Sequence, residues 1–349
     1  AACCWLCIAV TVVMTILSVA GADFLLRIMN TPDDIFRYAS GYIRIIFGGL
    51  GASIYYNMIA GILRAVGDSR TPLYFLIFSS VFNVVLDIAA VLVFHGGVEG
   101  ASFATVISQL ISAFLCHWYA GRKYPGIWPE KRHWSASLSQ GWRHLRIGLP
   151  MALQFSVTAV GIMILQAYLN GFGSVVIAGY TAAGKVENLV TQPFTTLAAA
   201  MEVYCGQNYG AGRPDRIRKG ISSSLKMGGV AAAGMLVLNV VFGRQMIQIF
   251  LESYDSAIVE YGYIYLVIIG AFSMVLCMLQ IVRSSLQGMG EALVPMAGGV
   301  IELAARWAGC ICLLPFGYAG ICFSTPLAWV LALTLLLVYY KKLGRETKC

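Results

Sequence analysis

An all-helical bundle that crosses a membrane many times is the fold class this sequence predicts, and three observations predict it. Of its 349 residues, 59% are hydrophobic and only 11% charged, whereas a water-soluble surface calls for about a quarter charged. The apolar residues come in continuous runs near the roughly 20-residue length that spans a bilayer as a helix, not in the short alternating segments of a porin-type barrel. The chain also repeats itself: residues 42–120 and 263–341 align with short slips, and paired repeats that meet near the bilayer midplane are a common architecture of secondary transporters.

The runs fall in order at 5–29, 38–63, 72–94 and 99–120, and then at 147–171, 176–206, 220–245, 258–286, 293–314 and 320–340, which predicts about ten transmembrane helices. The first is too long for a signal peptide. The second opens on Gly41-Tyr42-Ile43, matched by Gly262-Tyr263-Ile264 in the eighth. Arg64-x-x-Gly67-Asp68-x-x-x-Pro72 joins the second run to the third and is matched by Gln287-x-x-Gly290-Glu291-x-x-x-Pro295; Arg64, Asp68 and Arg70 read as a cytoplasmic turn that caps helices. Gly97-x-x-Gly100-x-x-x-x-Thr105 opens the fourth run as Gly317-x-x-Gly320-x-x-x-x-Thr325 opens the tenth.

Between the halves lies 121–146, rich in Arg, Lys, Pro and Trp. It reads as a cytoplasmic linker lying partly along the membrane surface, with Trp128, Trp134 and Trp142 as interfacial anchors. Six helices follow it, of which the last four repeat the first four of the chain. The pair at 147–206 has no counterpart near the N-terminus, so equal halves would place about two further helices before Ala1. The expected domains are therefore an N-terminal lobe lacking its first two helices (1–120), the linker (121–146), a six-helix C-terminal lobe (147–341) and a cytoplasmic tail (342–349). Pro193 is expected to kink the 176–206 run. The glycines of 206–212 end that helix and start a turn, and without a following Lys-Ser/Thr they form no phosphate loop.

The formal charge of +8 does not point to nucleic acid, because Lys and Arg crowd into alternate loops. One loop holds Arg122, Lys123, Lys131, Arg132, Arg143 and Arg146; the next basic loop holds Arg213, Arg216, Arg218 and Lys219; the tail holds Lys341, Lys342, Arg345 and Lys348. The intervening loops near 31–34, 95–97, 171–173, 252–255 and 315–319 hold none. By the positive-inside rule, both ends of the chain are cytoplasmic in a multi-pass cell-membrane protein. Cys4-x-x-Cys7 and Cys310-x-Cys312 have suggestive spacing, but neither has a second half or a nearby His, so packing is expected of them and not a metal. No ATP-binding motif and no H-E-x-x-H is present, and the four His are scattered. The expectation is a transporter, not an intramembrane enzyme or a channel.

At this point the residues resemble a known family. Gly67-Asp68-Ser69-Arg70-Thr71-Pro72, Asn83-x-x-x-Asp87 and Gly97-Val98-Glu99-Gly100-Ala101-x-x-Ala104-Thr105 look like those of the multidrug and toxic compound extrusion (MATE) transporters. So do Leu149-Pro150-x-Ala152-Leu153-Gln154, Tyr180-Thr181-Ala182-Ala183 and Gly206-Gln207-Asn208-Tyr209-Gly210-Ala211-Gly212. The resemblance runs the length of the chain and implies twelve helices in two six-helix lobes around a central cavity. It also implies a monomeric antiporter that exports amphipathic, cationic compounds on a proton or sodium gradient, with membrane lipid around it and no organic cofactor. A lipid-linked oligosaccharide flippase is the rival; its cavity should be lined by Arg and Lys for pyrophosphate, and the sequence shows few basic residues at membrane depth.

Asp87 is the mechanistic centre of this reading. It is the only charged residue of the 74–94 run, where an ionised carboxylate costs about 2.5–3.5 kcal/mol on insertion scales. Asn83, four residues earlier, shares its helix face. Such a pocket can exchange a proton or hold a small cation. By resemblance to the family branch with an ion site in the N-terminal lobe, the set also includes Tyr42, Asn57 and Thr105. That branch's further Asp, on the family's first helix, would lie upstream of Ala1. The branch with a C-lobe site has a carboxylate on the helix corresponding to 147–171, and this chain has none there. In the second repeat Glu302 and Arg306 are spaced to neutralise each other, and Cys310 aligns with Asp87. Gln154, Lys185, Glu187, Asn188 and Gln192 are candidates to line the substrate cavity, or else interhelical glue; Met151, Phe155, Met163, Phe194 and Met201 are candidates for its apolar wall.

Overall fold

The computed structural model describes residues 1–28, 31–130, 134, 137–251 and 255–346, with the side chains of 137–139 and 344–346 left out. Lys131, Arg132, Lys348, the Arg345 side chain and most of the 252–255 loop, all noted above, lie outside the described residues. Every regular element among those described is helical. The chain divides into two compact units, Ala1–His144 and Leu145–Cys349.

The first unit contains α1 (Ala2–Ile28), α2 (Asp33–Gly48), α3 (Leu50–Ala65), α4 (Arg70–Ile88) and α5 (Gly97–Lys123). α4 runs on into a single π-helical turn at Ala89–Val93. α6 (Ser137–Asn170) begins before the boundary and runs on into the second unit, which continues with α7 (Ser174–Val190), α8 (Gln192–Gly210), α9 (Pro214–Gln248), α10 (Ser256–Ala271), α11 (Ser273–Gly288), α12 (Leu293–Leu313) and α13 (Gly317–Glu346). Among the described residues seven helical stretches are long and apolar enough to cross a membrane, and the pair α10–α11, bent by 55°, makes an eighth. One of the seven, Leu293–Leu343, takes in α12 and most of α13.

Three runs that the sequence presents as single helices are each broken in two. The 38–63 run breaks at Gly49, 176–206 at Thr191, and 258–286 at Phe272. Pro193 accounts for the second, because a proline has no N–H to give an interior turn and is tolerated in the first turn of α8 instead. Gly49 and Phe272 are equivalent positions, separated by the same interval as Asp68 and Glu291, and the four flanking helices have 16 residues each. The internal repeat is thus a repeat of broken helices. The 121–146 stretch is helical at both ends, since α5 extends to Lys123 and α6 starts at Ser137. Within it Trp128 packs at a tilt against His117 at 4.5 Å, Trp134 meets Trp5 edge-on at 5.6 Å, and Trp142 is exposed.

The turn after each broken pair is built the same way twice. Gly67 and Gly290 adopt φ of +94° and +90°, a left-handed conformation that costs a side-chain-bearing residue about 1–2 kcal/mol. The acidic residue that follows then accepts a tyrosine hydroxyl from the last helix of its repeat: Tyr119 to Asp68 at 3.0 Å, and Tyr339 to Glu291 at 3.0 Å. Asp68 also caps α4 through the Thr71 N–H and hydroxyl, at 3.2 and 3.0 Å. Burial pushes its carboxyl up, but the Thr71 and Tyr119 hydrogen bonds and the Lys123 charge outweigh that and hold it below the usual carboxylate range.

The two units bury their apolar residues to different depths. In the second, Leu266, Ile269, Leu279, Ile281, Leu286 and Ile321 form a continuous buried core. In the first, a smaller cluster centres on Ile59, Leu63 and Cys116, while α4 leaves Ile77, Phe78, Val81, Val84, Val85 and Ile88 exposed. A water-facing helix could not carry such a surface; lipid solvates it at no cost.

Candidate functional site

The five residues of the expected ion site stand on four helices of the first unit: Tyr42 on α2, Asn57 on α3, Asn83 and Asp87 on α4, and Thr105 on α5. α5 packs against each of the other three. Among the described residues, however, no hydrogen bond joins the five side chains. Asn57 donates to the Ser53 carbonyl at 2.8 Å and Thr105 to the Ala101 carbonyl at 3.1 Å, both within their own helices. Tyr42 is 37% exposed. What remains is a pair of orphans: Asn83 Nδ2 and Asp87 Oδ1 are both buried, and neither has a hydrogen-bond partner among the described residues.

Buried polar atoms without partners are scarce, and each calls for an explanation. Here two lie one helical turn apart, a donor and an acceptor, and the π-helical turn Ala89–Val93 begins two residues after Asp87. Single π turns inside α-helices are frequent at functional sites. The turn was not legible beforehand, since Ala-Ala-Val-Leu-Val has no proline or glycine to mark it.

In the second unit a cavity of about 520 Å³ opens among α6, α7, α8, α10, α11, α12 and α13. Gln154, Glu187 and Asn188 border it, as does Phe155. Gln154 is 2% exposed and accepts from Gln287 Nε2 at 2.8 Å, tying α6 to α11. Glu187 accepts the Tyr265 hydroxyl at 2.6 Å, and Tyr180 meets the Tyr265 ring edge-on at 4.9 Å. Two expected members lie elsewhere. Lys185 is exposed and holds its ammonium 5.7 Å from the Phe250 ring centroid, a cation–π contact its long flexible stem can reach. Gln192 opens α8 and turns its amide back to the Asn188 carbonyl at 3.1 Å. Of the apolar candidates, Phe194 and Met201 are core residues and Met163 is exposed.

The expected ion couple forms and is extended by a second arginine. Glu302 pairs with Arg306 at 3.1 Å, but its other oxygen takes Arg283 at 2.8 Å. The group is a buried Arg-Glu-Arg triad with one positive charge in excess, and not a neutral pair. Arg283 was missed although it obeys the rule that singles out Asp87, a charge inside an apolar run. Glu202, Tyr180, Tyr265, Gln280 and Gln287 also border the cavity.

A duplicated set of broken apolar helices with charges buried between them is the architecture of a polytopic membrane protein. The MatE family model matches residues 1–89 and 150–305, well over half of the chain. The chain belongs to the MatE family. It is 32% identical over 248 residues to a probable multidrug resistance protein, YpnP of Bacillus subtilis, covering 70% of this chain and 54% of that one. It is 27% identical to a probable multidrug resistance protein, NorM of Thermotoga maritima, covering 82% and 61% respectively. The chain therefore spans between about half and two thirds of the length of these relatives. Its fold is that of a MOP superfamily transporter from Pyrococcus furiosus, with a TM-score of 0.87 at 20% identity over 99% of this chain and 78% of that structure.

Proposed function

We propose that this chain works in an ion-driven exporter of amphipathic, cationic organic compounds, coupled to a proton or sodium gradient by alternating access, with both of its ends cytoplasmic. The observation that carries the reading is the orphaned Asp87 carboxylate beside the orphaned Asn83 amide in an otherwise apolar helix. A cation or proton bound there satisfies the acid, and its release restores a charge that lipid-facing helices tolerate poorly. Ion and drug favour different states, so the gradient drives export. The multidrug resistance names of the two relatives support a drug-export role.

Transport into proteoliposomes tests this. Asp87→Asn keeps size and hydrogen bonding while removing the titratable charge, so well-folded variant protein should lose gradient-driven uptake of a cationic dye. A structural Asp would instead give poor expression with residual activity in proportion to the protein recovered.

The flippase reading has one observation on its side, the two arginines that border the cavity of the second unit. Glu302 neutralises one of them, and Glu187 and Glu202 share the same lining. That is not the uniformly basic surface a pyrophosphate needs.

A further inference from the structure

At one end of the second unit a smaller cavity, of about 230 Å³, lies where α8, α11 and α13 finish and α9 begins. Two of the membrane-length stretches meet there. One starts at Pro214 and another finishes at Leu343, and both residues border the cavity. It therefore sits where hydrocarbon gives way to headgroups, on the side that the Lys and Arg loops assign to the cytoplasm.

The floor of this cavity is apolar and its rim basic. Ile217 and Met289 are buried, whereas Arg213 and Arg218 border the cavity with exposed side chains. No carboxylate borders it among the described residues. Arg216 and Lys219 on α9, and Lys341 and Lys342 on α13, are exposed close by in the sequence. Two acidic residues stand against these six basic ones. Asp215 takes Arg213 at 3.1 Å with the two side chains 54% and 49% exposed, and an ion pair so open to water holds weakly enough to give way to a competing anion. Glu291 accepts the Tyr339 hydroxyl at 3.0 Å. The surface thus has an excess of positive charge, carried by groups that a ligand can reach.

We propose that this cavity docks the phosphodiester headgroup of an anionic membrane lipid, with Arg213 and Arg218 donating to the phosphate and the surrounding lysines and Arg216 attracting it. Guanidinium forks match phosphate oxygens with two parallel hydrogen bonds. Tyr209 and Tyr340 border the same cavity, and tyrosine is a residue that settles at headgroup depth. Basic pockets between membrane helices on this face are places where anionic headgroups bind. A soluble phosphate would meet the same charges but gain nothing from Ile217, Met289 and Leu343, which suit the glycerol and first methylenes of a lipid. This docking needs neither the coupling ion nor the exported compound, and stands apart from the export reading.

The test is equilibrium binding of radiolabelled dioctanoyl-phosphatidylglycerol to the purified protein in an uncharged maltoside detergent, with dioctanoyl-phosphatidylcholine and glycerol 3-phosphate as competitors. Saturable binding that weakens with salt is expected, with no displacement by either competitor at equal concentration. Arg213→Gln combined with Arg218→Gln should weaken it about tenfold or more. Arg143→Gln combined with Arg146→Gln removes as much charge from the other basic loop and should bind as the parent does. Both cavity arginines are exposed, so the fold should survive their loss; should it not, Arg213→Lys with Arg218→Lys keeps the charge but loses the forks, and intermediate weakening is expected. Parental binding by either monodisperse cavity variant overturns the proposal, as does equal weakening by the Arg143 and Arg146 pair. Displacement by phosphatidylcholine would show that no anion is required, and displacement by glycerol 3-phosphate that the occupant is a soluble phosphate; either result also overturns it.

Discussion

Replacing Asp68 by Ala removes one carboxylate that serves two helices at once. Its cap on α4, through the Thr71 N–H at 3.2 Å, is worth about 1 kcal/mol. The Tyr119 hydroxyl at 3.0 Å loses a charged acceptor, at a cost of about 1.5 kcal/mol or more. Lys123 stands 3.7 Å away with its side chain 54% exposed, so that pair adds under about 1 kcal/mol. The total is about 2–4 kcal/mol, to be read from thermal unfolding of the detergent-solubilised protein. A double-mutant cycle with Tyr119→Phe should show coupling, because the two changes remove the same hydrogen bond. Since the folded carboxyl is held below its ordinary value, its contribution is fully present above about pH 4 and fades as pH falls through the lower, folded value. Acid destabilisation of Asp68→Ala should therefore be shallower than that of the parent. Additive single effects with an unchanged acid slope would refute the bridging role of Asp68.

Two further outcomes are expected. Gly288→Ala puts a Cβ 2.1 Å from the Glu202 carbonyl oxygen, so α8 and α11 must separate; a loss of about 1–3 kcal/mol of stability should appear in the same unfolding assay, and an unchanged midpoint would show that the two helices do not pack this closely. Single cysteines at Phe94 and Gly126, in a background without native cysteines, should react with impermeant reagent from opposite sides of the membrane, and labelling of both from outside would contradict the orientation drawn from the Lys and Arg loops.

Much of the architecture is legible in the residues because a bilayer leaves few choices. Long apolar runs have to be helices, and the matched Gly-Asp and Gly-Glu turns mark the repeat before any coordinates do. The breaks are harder. Thr191 is betrayed by Pro193, but Phe272 carries no breaking signal, and Gly49 is one of many glycines that helices tolerate. That ambiguity reaches the site: a face count at 3.6 residues per turn carried straight through Phe272 misplaces everything in α11, Arg283 and Gln287 included. Lys185 eluded the reading for another reason, since its stem lets the charge travel several ångströms from its backbone position. Asp87 and Asn83 do stand one turn apart as their spacing predicts, because their helix runs unbroken through both and keeps residues four apart on one face.

The central claim is that Asp87 carries the coupling ion, and the most direct measurement is ion movement driven by substrate. Protein is reconstituted into vesicles with no ion gradient, and a gradient of cationic dye is imposed while a pH indicator and radioactive sodium are followed on opposite sides. The account predicts that the parent protein moves protons or sodium against the dye, and that Asp87→Asn, equally well folded, moves neither. Ion flux of parental size from the Asp87→Asn vesicles would contradict it.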